Sequence, residues 1–333
     1  VAARSAVRGA LRALARELAD GSAGAGGGEN GSGRASSSSV STMAGLVSAA
    51  TFSTIGCALD AHAREAAARG WGLPRLVGVG GEKGGNSGSG GGGGDDDGGK
   101  NPRRSAIAIT DFWPYWKERR DSEANSIDLR SMALLTGPNM AGKSTVLRSV
   151  AACSLLASCG LRAPCAAASV PPLDAIVLRA FAADAPSAGR SSFAVEMDET
   201  RHVLAAASSS SSSLILVDEL GKGTEPAAGA AVAGAVLESL ARERGCLGLF
   251  ATHLHELLEL PLEGFGGGEE SGGGGGAGGR RRRQQQQQQQ QRFCMTTRLD
   301  PRSGAKAPAW RLAEGDSTES LAIEVAAEAR VDP

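Results

Sequence analysis

"LLTGPNMAGKST", residues 134–145, passes from two leucines into a glycine loop and ends on Lys-Ser-Thr. Gly137 to Ser144 spells G-x-x-x-x-G-K-[ST], the pattern of a loop whose backbone N–H groups cradle phosphates. Glycine is abundant, 48 of 333 residues, so the pattern must be weighed against composition. Because lysine is scarce, chance would supply on the order of 0.02 such matches in this chain. Context fits the mechanism as well. "SMALLTG" (131–137) reads as a buried strand and "STVLRSVAACSLLASCG" (144–160) as a helix closed by Gly160. Loop amides and helix N-terminus would then face one place. A Cβ at Gly137 or Gly142 would block the close approach. Lys143 would reach the β- and γ-phosphates, and the Ser144 hydroxyl would hold Mg²⁺.

A second element lies downstream. "LILVDEL" (214–220) is an apolar run ending in Asp218-Glu219. An acidic pair at the C-terminal end of a buried strand is costly unless it serves a cation or a proton. Asp218 would hold Mg²⁺ through water, and Glu219 would orient the attacking water as general base. In "FATHLHEL" (250–257) a strand ends at Thr252-His253, where a histidine can sense the γ-phosphate or stabilise developing charge. His255 reads as a histidine satisfied by local hydrogen bonds. His62 and His202 sit among helical neighbours with no visible chemistry.

Strand and helix alternate around these motifs. "LDAIVLRAF" reads as a strand, "SSFAVEMDETRHVLAAASS" as a helix, "AAGAAVAGAVLESLARERG" as a helix and "CLGLFATH" as a strand. This order predicts an α/β fold with a mostly parallel sheet flanked by helices. Upstream, Val7, Leu11, Leu14 and Leu18 predict an amphipathic helix over residues 1–20. Residues 21–39, rich in Gly and Ser, are expected to be disordered, and residues 40–70 to form a longer helix. "WGLPRLVGV" reads as a short extended segment. Disordered low-complexity inserts are expected at 80–104, where the Asp cluster reads as a solvated loop, and at about 263–292, with a run of four Arg followed by eight Gln. The tail "APAWRLAEGDSTESLAIEVAAEARVDP" predicts strand, turn and helix.

Formal net charge is −1 and the pI is near 6.5, so no global basic field advertises nucleic acid. Six cysteines show no CxxC or zinc spacing, and the three between 153 and 165, six apart in an Ala/Leu-rich stretch, read as buried, reduced thiols. No apolar run is long enough to cross a bilayer, so a soluble protein without a membrane partner is expected. The chain opens on Val rather than Met, and a targeting peptide could lie upstream.

Taken together, these residues resemble the ATPase domain of the MutS family of DNA mismatch-repair proteins. Pro138, Asn139, Met140 and Ala141, free positions in the generic loop pattern, match that family's wording in "TGPNMAGKST". "GRSSFAVEMDET" (189–200), "DELGKGTEPAAG" and "FATHLHEL" follow in the family's order. Glu225-Pro226-Ala227-Ala228 and "ESLAIEVA" depart from most members, and with "FWPYW" (112–116) and "CGLRAPCAAASV" they look like the plant-type organellar branch. That branch usually carries a small nuclease domain beyond the ATPase, which the residues up to Pro333 do not include.

The resemblance implies an ABC-like P-loop NTPase domain over residues 105–333, preceded over 1–79 by helices from the family's core and lever region. It implies ATP and Mg²⁺ as ligands, held by Gly137 through Thr145 and by Asp218. Lys143, Glu219 and His253 would be the catalytic groups. It implies a homodimer or MutS-type heterodimer in which Ser191, with Ser192 beside it, reaches the partner's γ-phosphate. Asn139 would position phosphate or water, and Phe112 or Trp113 would stack on adenine. Hydrolysis would control a clamp on mismatched or damaged duplex DNA. The mismatch-reading domains would lie outside these residues, so this chain alone is expected to read mismatches poorly. A mitochondrial or chloroplast location is implied, with the nucleus as alternative. A nucleotide-binding scaffold that no longer hydrolyses is the rival reading, motivated by Glu225-Pro226. A transporter-type or chromosome-structural ATPase is a third, but no Leu-Ser-Gly-Gly-like signature stands between Gly160 and Ser213.

Overall fold

The computed structural model describes residues 36–77, 106–180, 191–262, 291–300, 304–321, 323, 324 and 326. The chain divides into two units, one ending at Ala68 and one beginning at Arg69. The first contributes helix α1 (Ser36–Ala68). It begins four residues inside the stretch expected to be disordered. Ser36–Ser39 are helical here. The helix expected over 1–20, the insert at 80–104 and the body of that at 263–292 lie outside the described residues.

The second unit runs β1 (Arg75–Leu76), β2 (Ile107–Phe112), β3 (Asn125–Leu129), β4 (Met132–Thr136), α2 (Lys143–Ser158), β5 (Ala167–Val170), β6 (Ala175–Arg179), α3 (Ser192–Ser209), β7 (Ser213–Asp218), α4 (Pro226–Arg242), β8 (Cys246–Ala251), a short α5 (Glu256–Glu259), β9 (Arg292–Leu299) and β10 (Lys306–Glu314). The large sheet has the order β10-β9-β4-β8-β7-β6, parallel throughout except for the β9–β10 hairpin. A smaller sheet, ordered β1-β5-β2-β3 and largely antiparallel, stands beside it. The alternation reading anticipated the first sheet and not the second.

Period-two geometry explains the two cores. Every residue of β4, β7 and β8 is buried, as strands covered on both faces require. Ala133, Leu135, Leu214 and Leu216 point to one side, where α2 (Val146, Leu147, Val150) and the small sheet (Ile107, Ile109, Leu129) meet them. Met132, Leu134, Ile215 and Val217 point to the other, against Val203 of α3 and Ala233, Val236, Leu237 and Leu240 of α4. The strands are thereby fixed in register. The loops leaving the C-terminal ends of β4, β7 and β8 all emerge along one edge. No helix among the described residues is long and apolar enough to cross a membrane.

Candidate active site

The loop after β4 bends through three left-handed residues, Gly137 (φ 135°), Met140 (φ 65°) and Gly142 (φ 103°). A Cβ on Gly137 would stand 3.0 Å from the Cβ of Met295. Helix α2 starts at Lys143, so the N–H groups of Lys143, Ser144 and Thr145 have no intrahelical acceptor and face the loop. Lys143 is 4 % exposed, and its Nζ donates to the carbonyls of Gly137 (2.7 Å) and Pro138 (3.1 Å). Burial lowers its pKa, opposed by the negative charges of Glu219 and Asp218. Pro138 and Ala141 are buried, whereas Asn139 and Met140 are exposed.

Asp218 ends β7 with its side chain buried, and among the described residues its Oδ1 has no hydrogen-bond partner. Glu219 follows in a left-handed conformation (φ 53°), its N–H donating to Ala251 O at 3.0 Å. That turn aims the carboxylate at three cationic or potentially cationic groups. Oε1 lies 3.5 Å from His253 Nδ1 and 3.8 Å from Lys143 Nζ, and Oε2 pairs with Lys222. His253 contributes most to holding the Glu219 carboxyl at about 2, with Lys222 and Lys143 adding and burial opposing. At 3.5 Å the His253 contact is a close approach rather than a formed hydrogen bond, and among the described residues Nδ1 has no hydrogen-bond partner. His253 itself is half-buried at the end of β8, where the Thr252 hydroxyl accepts from Leu254 N (3.0 Å) and turns the chain.

The acidic turn is braced from behind. Arg179 Nη1 donates to the carbonyls of Asp218 and Glu219, both at 3.2 Å, and Nη2 to Glu196 Oε1 at 3.0 Å. Glu196 Oε1 also accepts from Gly221 N at 3.0 Å. Gly221 (φ 93°) packs on Gly229 of α4, where a Cβ on Gly229 would stand 2.4 Å from Gly221 O.

Beside the loop, Phe112, Asn125, Gly142, Val146, Met295 and Trp310 line a cleft of about 130 Å³. Trp310 sits in a bulge of β10 with φ 54°, an unusual conformation for a bulky residue. Asn125 holds that bulge, donating to Trp310 O (3.0 Å) and accepting from Leu312 N (2.7 Å).

Lys143, Asp218, Glu219 and His253, read separately from the sequence, therefore meet at one sheet edge. Ser191 does not join them. It caps α3, accepting from Ala194 N (3.2 Å), and both it and Ser192 are exposed. Phe112 lines the cleft, but Trp113 is buried outside it, with Arg119 5.6 Å over its ring. His255 is exposed, and His202 Nδ1 is satisfied within its own helix by Asp198 O (2.8 Å). Arg179, Glu196 and Trp310 escaped the sequence reading. A charged residue closing the apolar run "AIVLR" was the available signal for the first.

Residues 133–264 match the family profile of MutS domain V. The mitochondrial DNA mismatch repair protein MSH1 of Arabidopsis thaliana is 36 % identical over 283 residues, 84 % of this chain and 22 % of that protein. The DNA mismatch repair protein MSH2 of Saccharomyces cerevisiae is 45 % identical over 141 residues, 41 % of this chain and 14 % of its own. The DNA mismatch repair protein MutS of Roseiflexus castenholzii is 48 % identical over 135 residues, 40 % of this chain and 12 % of its own. The chain thus spans about a fifth or less of the length of these relatives. Of the three, only the likeness to the plant mitochondrial protein extends well beyond the domain that the family profile covers.

Proposed function

The chain belongs to the MutS family, most like its plant-type organellar branch, and on that premise we propose that residues 105–333 are an ATP-hydrolysing, Mg²⁺-dependent motor. One observation carries the reading. Lys143, Glu219, His253 and the unpartnered, buried Oδ1 of Asp218 converge where three parallel strands end. A loop that only glycine can form, a lysine spent on its own loop carbonyls and an orphaned carboxylate oxygen suit a polyphosphate and a divalent cation.

Ser144 and Asp218 would hold the Mg²⁺, which neutralises phosphate charge when bound. Lys143 would exchange the Gly137 and Pro138 carbonyls for phosphate oxygens. Glu219, fully ionised at neutral pH, would accept a hydrogen bond from the attacking water and so orient it. His253, 3.5 Å from the same carboxylate, would keep Glu219 on that heading. Met140 and Asn139, exposed at the tip of the loop, would meet the nucleotide or a second subunit. The cleft beside Gly142 would take the base, with Trp310 rather than Trp113 as its stacking face.

Ser191, exposed at the N-terminus of α3 and remote from its own site's contacts, suits a role in a partner's site, in a homodimer or MutS-type heterodimer. In the longer protein, the nucleotide state would control a clamp on mismatched or damaged duplex DNA, in a mitochondrion or chloroplast. The helices before residue 79 would belong to the core and lever region that joins motor to clamp.

Turnover of the full-length protein, compared with Lys143→Ala and Glu219→Gln, tests the motor. Lys143→Ala should lose nucleotide binding. Glu219→Gln should bind ATP yet hydrolyse it on the order of 100-fold or more slowly. A wild type as slow as Glu219→Gln while still binding ATP would favour the scaffold reading instead. Nucleotide exchange that ignores mismatched against paired duplex would remove the repair role.

A further inference from the structure

Arg179 closes β6 opposite Val217 of β7, so its guanidinium reaches forward onto the acidic turn. Its side chain is 4 % exposed and that of Glu196 is 7 % exposed, making this a fully desolvated ion pair. A second carboxylate of α3, Glu199, lies 3.5 Å from Arg179 Nε. Buried pairs of this kind rarely add stability over apolar residues of similar size. Their presence asks for another role. Here the donors go to backbone. Arg179 takes the carbonyls of Asp218 and Glu219, and Glu196 takes the amide of Gly221. Together they grip both ends of a turn whose middle residue, Glu219, holds a left-handed conformation that L-residues rarely adopt.

We infer that Arg179 and Glu196 are positioning residues for the hydrolytic step: they fix the backbone of residues 218–221 so that the Glu219 carboxylate faces Lys143 and His253. The pair touches neither Lys143 nor the phosphate loop, so its loss acts far more on the rate of hydrolysis than on nucleotide binding. It also fastens α3, and with it Ser191, to the turn that carries Glu219. The inference rests on the reading of Glu219 as the residue that orients water.

The test uses the full-length protein with Arg179→Met, the apolar pair Arg179→Met/Glu196→Met, and Arg179→Lys. Three quantities are read for each: the urea midpoint, affinity for a fluorescent ATP analogue, and the single-turnover rate. Arg179→Met alone leaves Glu196 and Glu199 without their counter-charge and lowers the midpoint. The double variant restores the midpoint and binds nucleotide within about threefold of wild type, yet hydrolyses on the order of 100-fold more slowly, as expected for a misplaced catalytic group. Arg179→Lys, which keeps the charge but loses the fork, falls between. If the double variant does not fold, Arg179→Lys carries the same comparison of affinity with rate. A double variant that regains both midpoint and rate overturns the inference and leaves the ATPase reading standing. So does a loss of rate matched by an equal loss of affinity. A wild type as slow as Glu219→Gln overturns the ATPase reading, and this inference with it.

Discussion

Replacing Glu219 with Gln probes the electrostatics of the site before any nucleotide is added. His253, then Lys222 and Lys143, draw this carboxyl from 4.5 to about 2, against a burial cost that pulls the other way. A depressed native pKa means that the unfolded chain binds the proton more tightly than the folded one. The resulting stabilisation is complete above pH 4.5 and is lost as the pH falls toward about 2. At about 1.4 kcal/mol per pH unit, the shift corresponds to roughly 3 kcal/mol. Solvent at the open mouth of the site screens part of it, leaving about 1–2 kcal/mol. Glutamine has the same size and the same left-handed backbone requirement, so the change is one of charge, and it leaves Lys143 and Lys222 facing each other across the site. Urea unfolding in the presence of a chelator, at low salt, should therefore find Glu219→Gln less stable by about 1–2 kcal/mol at pH 7. The gap should narrow steadily between pH 5 and pH 3, because the unfolded wild type takes up a proton at Glu219 there while the folded form, with its carboxyl at about 2, does not. Added salt should narrow it as well. A gap of equal size at pH 7 and pH 3, or none at pH 7, would refute the reasoning.

Two further outcomes follow from packing. Gly229→Ala drives a Cβ to 2.4 Å from Gly221 O; it should cost about 2–3 kcal/mol in urea unfolding and slow turnover by shifting the acidic turn. Trp310→Ala should weaken ATP binding about 3- to 10-fold, the worth of one aromatic face, while turnover at saturation holds; equal losses for ATP and inorganic triphosphate would remove Trp310 from the base site.

What the sequence made legible follows from burial. β4, β7 and β8 are apolar at almost every position because both faces are covered, and such runs announce themselves. Lys143 stood out because a scarce residue fell at a fixed place in a loop, and Asp218-Glu219 because charge seldom ends a buried strand. The small sheet was hidden for the opposite reason. β2 mixes buried and exposed residues, and β3 and β5 are four or five residues long, so neither period nor length separates them from loop. Trp310 could not be placed, because "APAWRLAE" reads as an unbroken strand. Only the Asn125 side chain, far away in sequence, shows that the backbone turns over at that residue. Arg179 was visible as a charge at a strand end, but its partners lie on a helix and a turn that no local pattern connects.

The boundary of the last low-complexity stretch also moved. β9 begins at Arg292, and the glutamine before it is part of the folded unit. Gln291 donates through Nε2 to Asp128 O (2.6 Å), accepts from Arg130 N at Oε1 (2.7 Å), and gives its own carbonyl to Leu134 N (3.1 Å). It therefore stitches the end of β3 and the strand before the phosphate loop to the start of β9. Eight identical residues end at that stitch. The contacts are made by the glutamine next to Arg292, so the register of β9 against the strand before the phosphate loop is set from the end of the tract and not from its beginning.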